Sequence, residues 1–169
     1  KNYFYPTFSG VAQSYNYYPV SYMQREEGIA FTALGLGRTI VEGGNALRFS
    51  PKYPNILPQF FSIKSTIINS QNTFYALNLN SGDNPIQDGE SCNLEQLHLK
   101  DAEEHGSLKY IASVICDEDN IIRDSLKNEG RRIITFSSIL KFESFPLANI
   151  LQDILEFGQT AMGCPVEIE

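Results

Sequence analysis

The chain has 169 residues, 42% hydrophobic and 20% charged, which is a globular rather than a disordered composition. Its formal charge of −7 repels a phosphate backbone, and Arg131-Arg132 is the one adjacent basic pair, so nucleic acid is excluded as a partner. No apolar run approaches the ~20 residues that a membrane-spanning helix needs, which excludes an integral helical membrane protein.

The chain starts at Lys1 and stops at Cys164-Pro165-Val166-Glu167-Ile168-Glu169, an alternating apolar and acidic run. That ending predicts a single piece, residues 1–169, excised from a longer protein. Most of the tyrosines lie near the amino end, and Tyr15-Asn16-Tyr17-Tyr18-Pro19 reads as a loop. Its rings want cover and their hydroxyls want water, which fits a carbohydrate or partner surface, or packing against the rest of the parent protein. Ser9–Ser14 predicts a strand entering that loop, and Gly28–Leu34 a second, rich in β-branched and aromatic residues. Gly35-Leu36-Gly37 and Gly43-Gly44 then bracket a short apolar segment, and Ala46–Phe49 predicts a short strand before Pro51.

The spacing over 57–69 fits a helix or a strand, with length favouring a helix from near Pro58. Thr73–Leu79 predicts a strand. Residues 80–106 are polar and predict a long connection with a short helix around Leu94–Glu104. Leu108–Cys116 predicts a strand, Asp117–Asn120 a turn, Ile121–Asp124 the returning strand, and Arg132–Ser137 another. Leu147, Ile150, Leu151, Ile154 and Leu155 form one apolar stripe of a helix that starts at Pro146 and stops at Gly163. Val166–Glu169 returns to a sheet. The expected fold class is α+β, a mixed and mainly antiparallel sheet with one or two packed helices.

Cys92, Cys116 and Cys164 are odd in number and widely spaced, with no CxxC, which predicts reduced thiols in a cytoplasmic protein rather than disulfides or zinc. His98 and His105 flank the charged stretch 100–104 and predict a solvated surface. The acidic turn at 117–120 lacks the spaced ligands and glycine of a calcium loop.

Two constellations could carry chemistry. Glu167 and Glu169 are two apart on a predicted strand, so their carboxylates share a face, an arrangement found where magnesium meets nucleotide phosphates. A solvent-facing acidic edge accounts for them equally well. Gly35, Gly37, Ile40 and Val41, with Gly43-Gly44, offer open backbone and two β-branched side chains that could hold a planar base. A tight turn between two strands accounts for that pattern too.

Ser9-Gly10-Val11-Ala12, then Gly28-Ile29-Ala30-Phe31-Thr32, then Gly35-Leu36-Gly37 with Val41 and Gly43, and finally Gly163–Glu169, together resemble the phosphoenolpyruvate synthase and pyruvate phosphate dikinase family. The resemblance implies the carboxy-proximal part of an ATP-grasp nucleotide-binding domain. It implies Mg2+ and ATP as cofactors, with Glu167 and Glu169 as metal ligands and Gly35, Gly37, Ile40 and Val41 beside the adenine and ribose. The parent would pass a phosphoryl group from ATP through a histidine on another domain of the same polypeptide to pyruvate. Arg38 stands where the family has glutamate. The alternative is a degenerate ATP-grasp paralogue serving as a structural or regulatory interaction module.

Overall fold

The computed structural model describes residues 2–80, 92–116 and 119–169. Its strands form three sheets in which every pairing is antiparallel. The fold is therefore α+β with antiparallel sheets. The largest sheet has the order β10-β2-β3-β4, from Glu167–Ile168, Ser9–Gln13, Ile29–Ala33 and Leu47–Phe49. The second, β1-β5-β6, joins Tyr3–Phe4, Thr73–Asn78 and Leu94–His98. The third, β8-β7-β9, joins Ile121–Arg123, Ala112–Cys116 and Arg131–Ile134.

Local sequence explains the central ribbon. Gly28, with φ of 71°, turns the chain into β3, and a Cβ there would lie 2.5 Å from the Gln13 carbonyl oxygen. Glycine alone fits this close crossing. β3 then buries Ile29, Ala30, Thr32 and Ala33, and its partner β4 buries Leu47 and Phe49. One hydrophobic cluster runs through all three sheets, taking in Phe49, Phe74, Ile134 and Leu155. Each such large side chain contributes about 1.5–3 kcal/mol.

Among the described residues five α-helices accompany the sheets, where the sequence predicts one or two. α1 (Arg38–Val41), α2 (Ile63–Asn69), α3 (Leu99–Glu104) and α4 (Ser137–Leu140) are short, and α5 (Leu147–Met162) is the long one. The ambiguous 57–69 segment resolves into a 3₁₀ turn at Pro58–Phe60 and then α2. Ser62 caps α2 by accepting from the Ser65 amide, while the Ser65 hydroxyl accepts from the Ser62 amide.

The helix expected over Leu94–Glu104 is corrected. Leu94–His98 is strand β6 along β5, and only Leu99–Glu104 is helical. Most of the preceding connection, residues 81–91, lies outside the described residues, as do 117 and 118 of the acidic turn. The glycine-bracketed segment is a single helical turn, α1, rather than a hairpin turn.

α5 begins after Pro146 and stops at Gly163, whose φ of 68° lets its amide bond the Gln159 carbonyl. Of its apolar stripe, Leu147 and Leu155 are buried. Ile150 and Ile154 turn out half-exposed, and Phe157 is 77% exposed. Among the described residues no helix is long and apolar enough to cross a membrane.

Candidate functional site

The register of the four-stranded sheet sorts its side chains onto two faces. Ile168 lies opposite Ala12, Ala12 opposite Ala30, and Ala30 opposite Phe49, all on the core side. The neighbouring rows place Glu167 opposite Gln13 opposite Ile29, and Val11 opposite Phe31 opposite Arg48, on the outer face, which is covered at the buried Ile29. Gln13 Nε2 donates to Glu167 Oε2 across that face. Glu169, one residue past β10, lines an apolar groove of 290 Å³ with Ile168, Leu151 and Ile154. Both carboxylates are exposed to solvent. Among the described residues no three His, Cys, Asp or Glu side chains gather as a metal cage.

Arg48 is a member of this outer face that the sequence analysis passes over. The alternation Leu47-Arg48-Phe49 is the signal that could have found it, because both neighbours are core residues. Its guanidinium lies 5.7 Å from the Phe31 ring centroid. Nη2 donates to Asn16 Oδ1 at 3.2 Å and to the Tyr18 carbonyl at 2.5 Å. Its buried Nε has no partner among the described residues. Burial pushes its pKa down from the ordinary arginine value.

The glycine segment sits at the other end of the β2–β3 ribbon. Gly35 is buried with φ of 85°, and a Cβ on it would lie 2.7 Å from the Tyr75 carbonyl oxygen. The Leu36 amide donates to that same oxygen at 2.9 Å. The close approach that requires Gly35 is thus to strand β5. Gly37, φ −59°, heads α1 with open space where a Cβ would stand. Ile40 is half-buried and Val41 is 77% exposed. Arg38 is answered within its own turn: Nε donates to Glu42 at 2.5 Å, and the Tyr75 hydroxyl donates to the other Glu42 oxygen at 2.8 Å. Those two bonds, Arg38 first, hold the Glu42 carboxyl below the usual range.

The two groups of predicted site residues stand apart. Glu167 is level with Gln13 and Ile29, whereas Gly35 follows Ala33, which pairs with Ser9. Four strand residues separate these levels, roughly 13 Å at ~3.3 Å per residue. The groove at Glu169 contains none of Gly35, Gly37, Ile40 or Val41, and the cavity beside Gly43-Gly44 contains neither glutamate.

A larger cavity of 630 Å³ opens beside α5, lined by Glu26, Glu27, Lys52, Glu156, Gln159 and Cys164 among others. The Glu27 side chain is 8% exposed, and its nearest cation is Lys52 Nζ at 4.0 Å. The charged run Arg25-Glu26-Glu27 is its only trace in the sequence. Of the two histidines expected at a solvated surface, His98 is exposed ahead of α3, whereas His105 is half-buried with its Nδ1 paired to the Tyr5 hydroxyl at 2.8 Å. None of the three cysteines is joined in a disulfide. No family model, curated protein or solved structure matches the chain.

Proposed function

We propose that the outer face of β10-β2-β3-β4 forms the acidic wall of a Mg2+–ATP site in a phosphoenolpyruvate synthase-like phosphotransferase, of which this chain is one part. The observation that carries the reading is the register, which puts Glu167 on the face shared with Gln13, Phe31 and Arg48. Glu169, one residue past β10, borders the apolar groove on the α5 side of the same strand end.

Carboxylate oxygens suit a hard divalent cation. Magnesium, when bound, neutralises phosphate charge. Gln13 orients the Glu167 carboxylate, and Arg48 supplies the positive charge on this face. The glycine segment then serves chiefly to seat α1 against β5, with Gly37 and Val41 left open to solvent.

The test is ATP-dependent phosphorylation of a histidine in the whole parent polypeptide, followed as acid-labile phosphate. Glu167→Gln and Glu169→Gln should each lower the rate roughly 100-fold, the scale of losing one charge-stabilising group, with unchanged melting temperature. Undiminished phosphorylation in both variants removes the assignment. The second reading, a degenerate paralogue acting as an interaction module, draws on Tyr18 and Phe61, exposed at 83% and 81%. Calorimetric silence of the parent with Mg–ATP favours it; saturable heat excludes it.

A further inference from the structure

A polar cavity of 350 Å³ lies between the end of α1 and the strands β5 and β6. It is separate from the carboxylate face. Thr39, Glu42, Gly43, Asn45, Tyr75 and Gln96 all line it. Thr39 is 6% exposed, and its Oγ1 has no hydrogen-bond partner among the described residues. A buried hydroxyl in that condition calls for an explanation. Gly43, where a Cβ would meet nothing within 4 Å, keeps the floor open.

The remaining lining is fixed and nearly neutral. The Glu42 charge is taken up by Arg38 and by the Tyr75 hydroxyl. Asn45 Nδ2 donates to the Ile68 and Ser70 carbonyls at 3.0 and 3.2 Å, which leaves its carbonyl oxygen as an acceptor. Gln96 Nε2 donates to Thr73 Oγ1 at 3.1 Å, leaving a second amide oxygen. Behind them the buried Gln71 is locked to Leu34 in both directions, at 2.7 and 2.9 Å.

An ionic ligand would find no unpaired countercharge here, and an apolar one would strand these polar groups without water. Vicinal hydroxyls, which both donate and accept, match amide oxygens beside a hydroxyl. The volume is near the lower end of the about 300–1,000 Å³ usual for ligand sites, which suits one sugar ring. We infer that this cavity binds a neutral polyol of monosaccharide size.

The probes are D-glucose, D-galactose and myo-inositol, titrated into the full chain and followed by the side-chain amide resonances of Asn45 and Gln96. At least one probe should shift both resonances saturably. Thr39→Val, which removes the hydroxyl and keeps the shape, should weaken that probe roughly tenfold, about one hydrogen bond. Gln96→Leu, on a strand surface, should weaken it similarly and stands in if Thr39→Val fails to fold. Absence of saturable shifts with all three probes, or wild-type affinity in the folded variants, overturns the inference.

Discussion

In the β8-β7-β9 sheet every buried side-chain polar atom among the described residues finds a partner, whereas the stretch from Ser9 to Ser50 leaves four without one. These are Ser9 Oγ, Thr39 Oγ1, Arg48 Nε and Ser50 Oγ. The third sheet buries fewer polar side chains, Ser113 and the adjoining Thr135, and pairs both. Ser113 is fully buried, and its hydroxyl meets Asp124 Oδ1 at 2.8 Å and Thr135 Oγ1 at 2.5 Å. Lys141 closes the set on Asp124 Oδ2 at 3.0 Å. A buried group without a partner costs about 1–3 kcal/mol. A fold that satisfies one sheet and leaves such groups around another concentrates its unmet polarity where the candidate surfaces lie: the outer face with Arg48 and the cavity with Thr39.

The contrast breaks most sharply at Ser113. Ser113→Ala removes both bonds and leaves Asp124 and Thr135 short of a partner inside the sheet. The expected loss is about 2–3 kcal/mol, because a charged acceptor is among those stranded. Urea unfolding measures it. A loss below about 0.5 kcal/mol, the range of ordinary surface changes, would mean that the third sheet is no better satisfied than the first.

Asp124 gives the next largest effect and a sign in pH. Burial alone would raise its pKa, but hydrogen bonds from Ser113, Lys141 and Ser137 outweigh burial and hold it below the usual range. A depressed folded-state pKa contributes stability above the unfolded value and loses it as pH falls through the folded one. Asp124→Asn should therefore cost about 1–2 kcal/mol at neutral pH. The difference from wild type should fade below about pH 4, the unperturbed aspartate value. Most of it belongs to Ser113, because Lys141 is more than half exposed and exposed ion pairs contribute little. A wild-type-to-variant difference that is flat between neutral and acid pH would show that Asp124 is not held as an anion.

What could be read beforehand followed the range of the forces. Ile29–Ala33 was legible because β-branched residues, alternation and Gly28 all act within a few positions. α5 was legible from Pro146, its stripe and Gly163. Leu94–His98 was not, since Leu-Glu-Gln-Leu-His has helix-like composition and becomes a strand only by lying along Thr73–Leu77. The glycine signal at Gly35 was sound as chemistry. Only tertiary structure shows that the neighbour demanding it is the Tyr75 carbonyl. The exposure of Ile150 and Ile154 was hidden for the same reason: periodicity marks a stripe but not how much of it finds cover. The cavity at Thr39 depends on residues 39–45 meeting 71–75 and 96, a convergence no local pattern encodes.

The smallest effect is the most pointed check on the contrast. Ser9 lies opposite Ala33 on β2, and its own carbonyl is occupied by the Thr32 hydroxyl at 3.1 Å. Its Oγ is buried without a partner. Ser9→Ala deletes an unsatisfied group and keeps the strand backbone, so the lost hydroxyl takes no hydrogen bond with it. The expected change is within about 0.5 kcal/mol and on the stabilising side, opposite in sign to Ser113→Ala. The two variants make the same chemical deletion, serine hydroxyl to methyl, in two sheets of one molecule. Unfolding midpoints measured side by side therefore isolate the partner rather than the residue type. A loss of about 1 kcal/mol or more at Ser9 would mean that its hydroxyl is satisfied, and the unmet polarity of the first fifty residues would shrink to Thr39, Arg48 and Ser50.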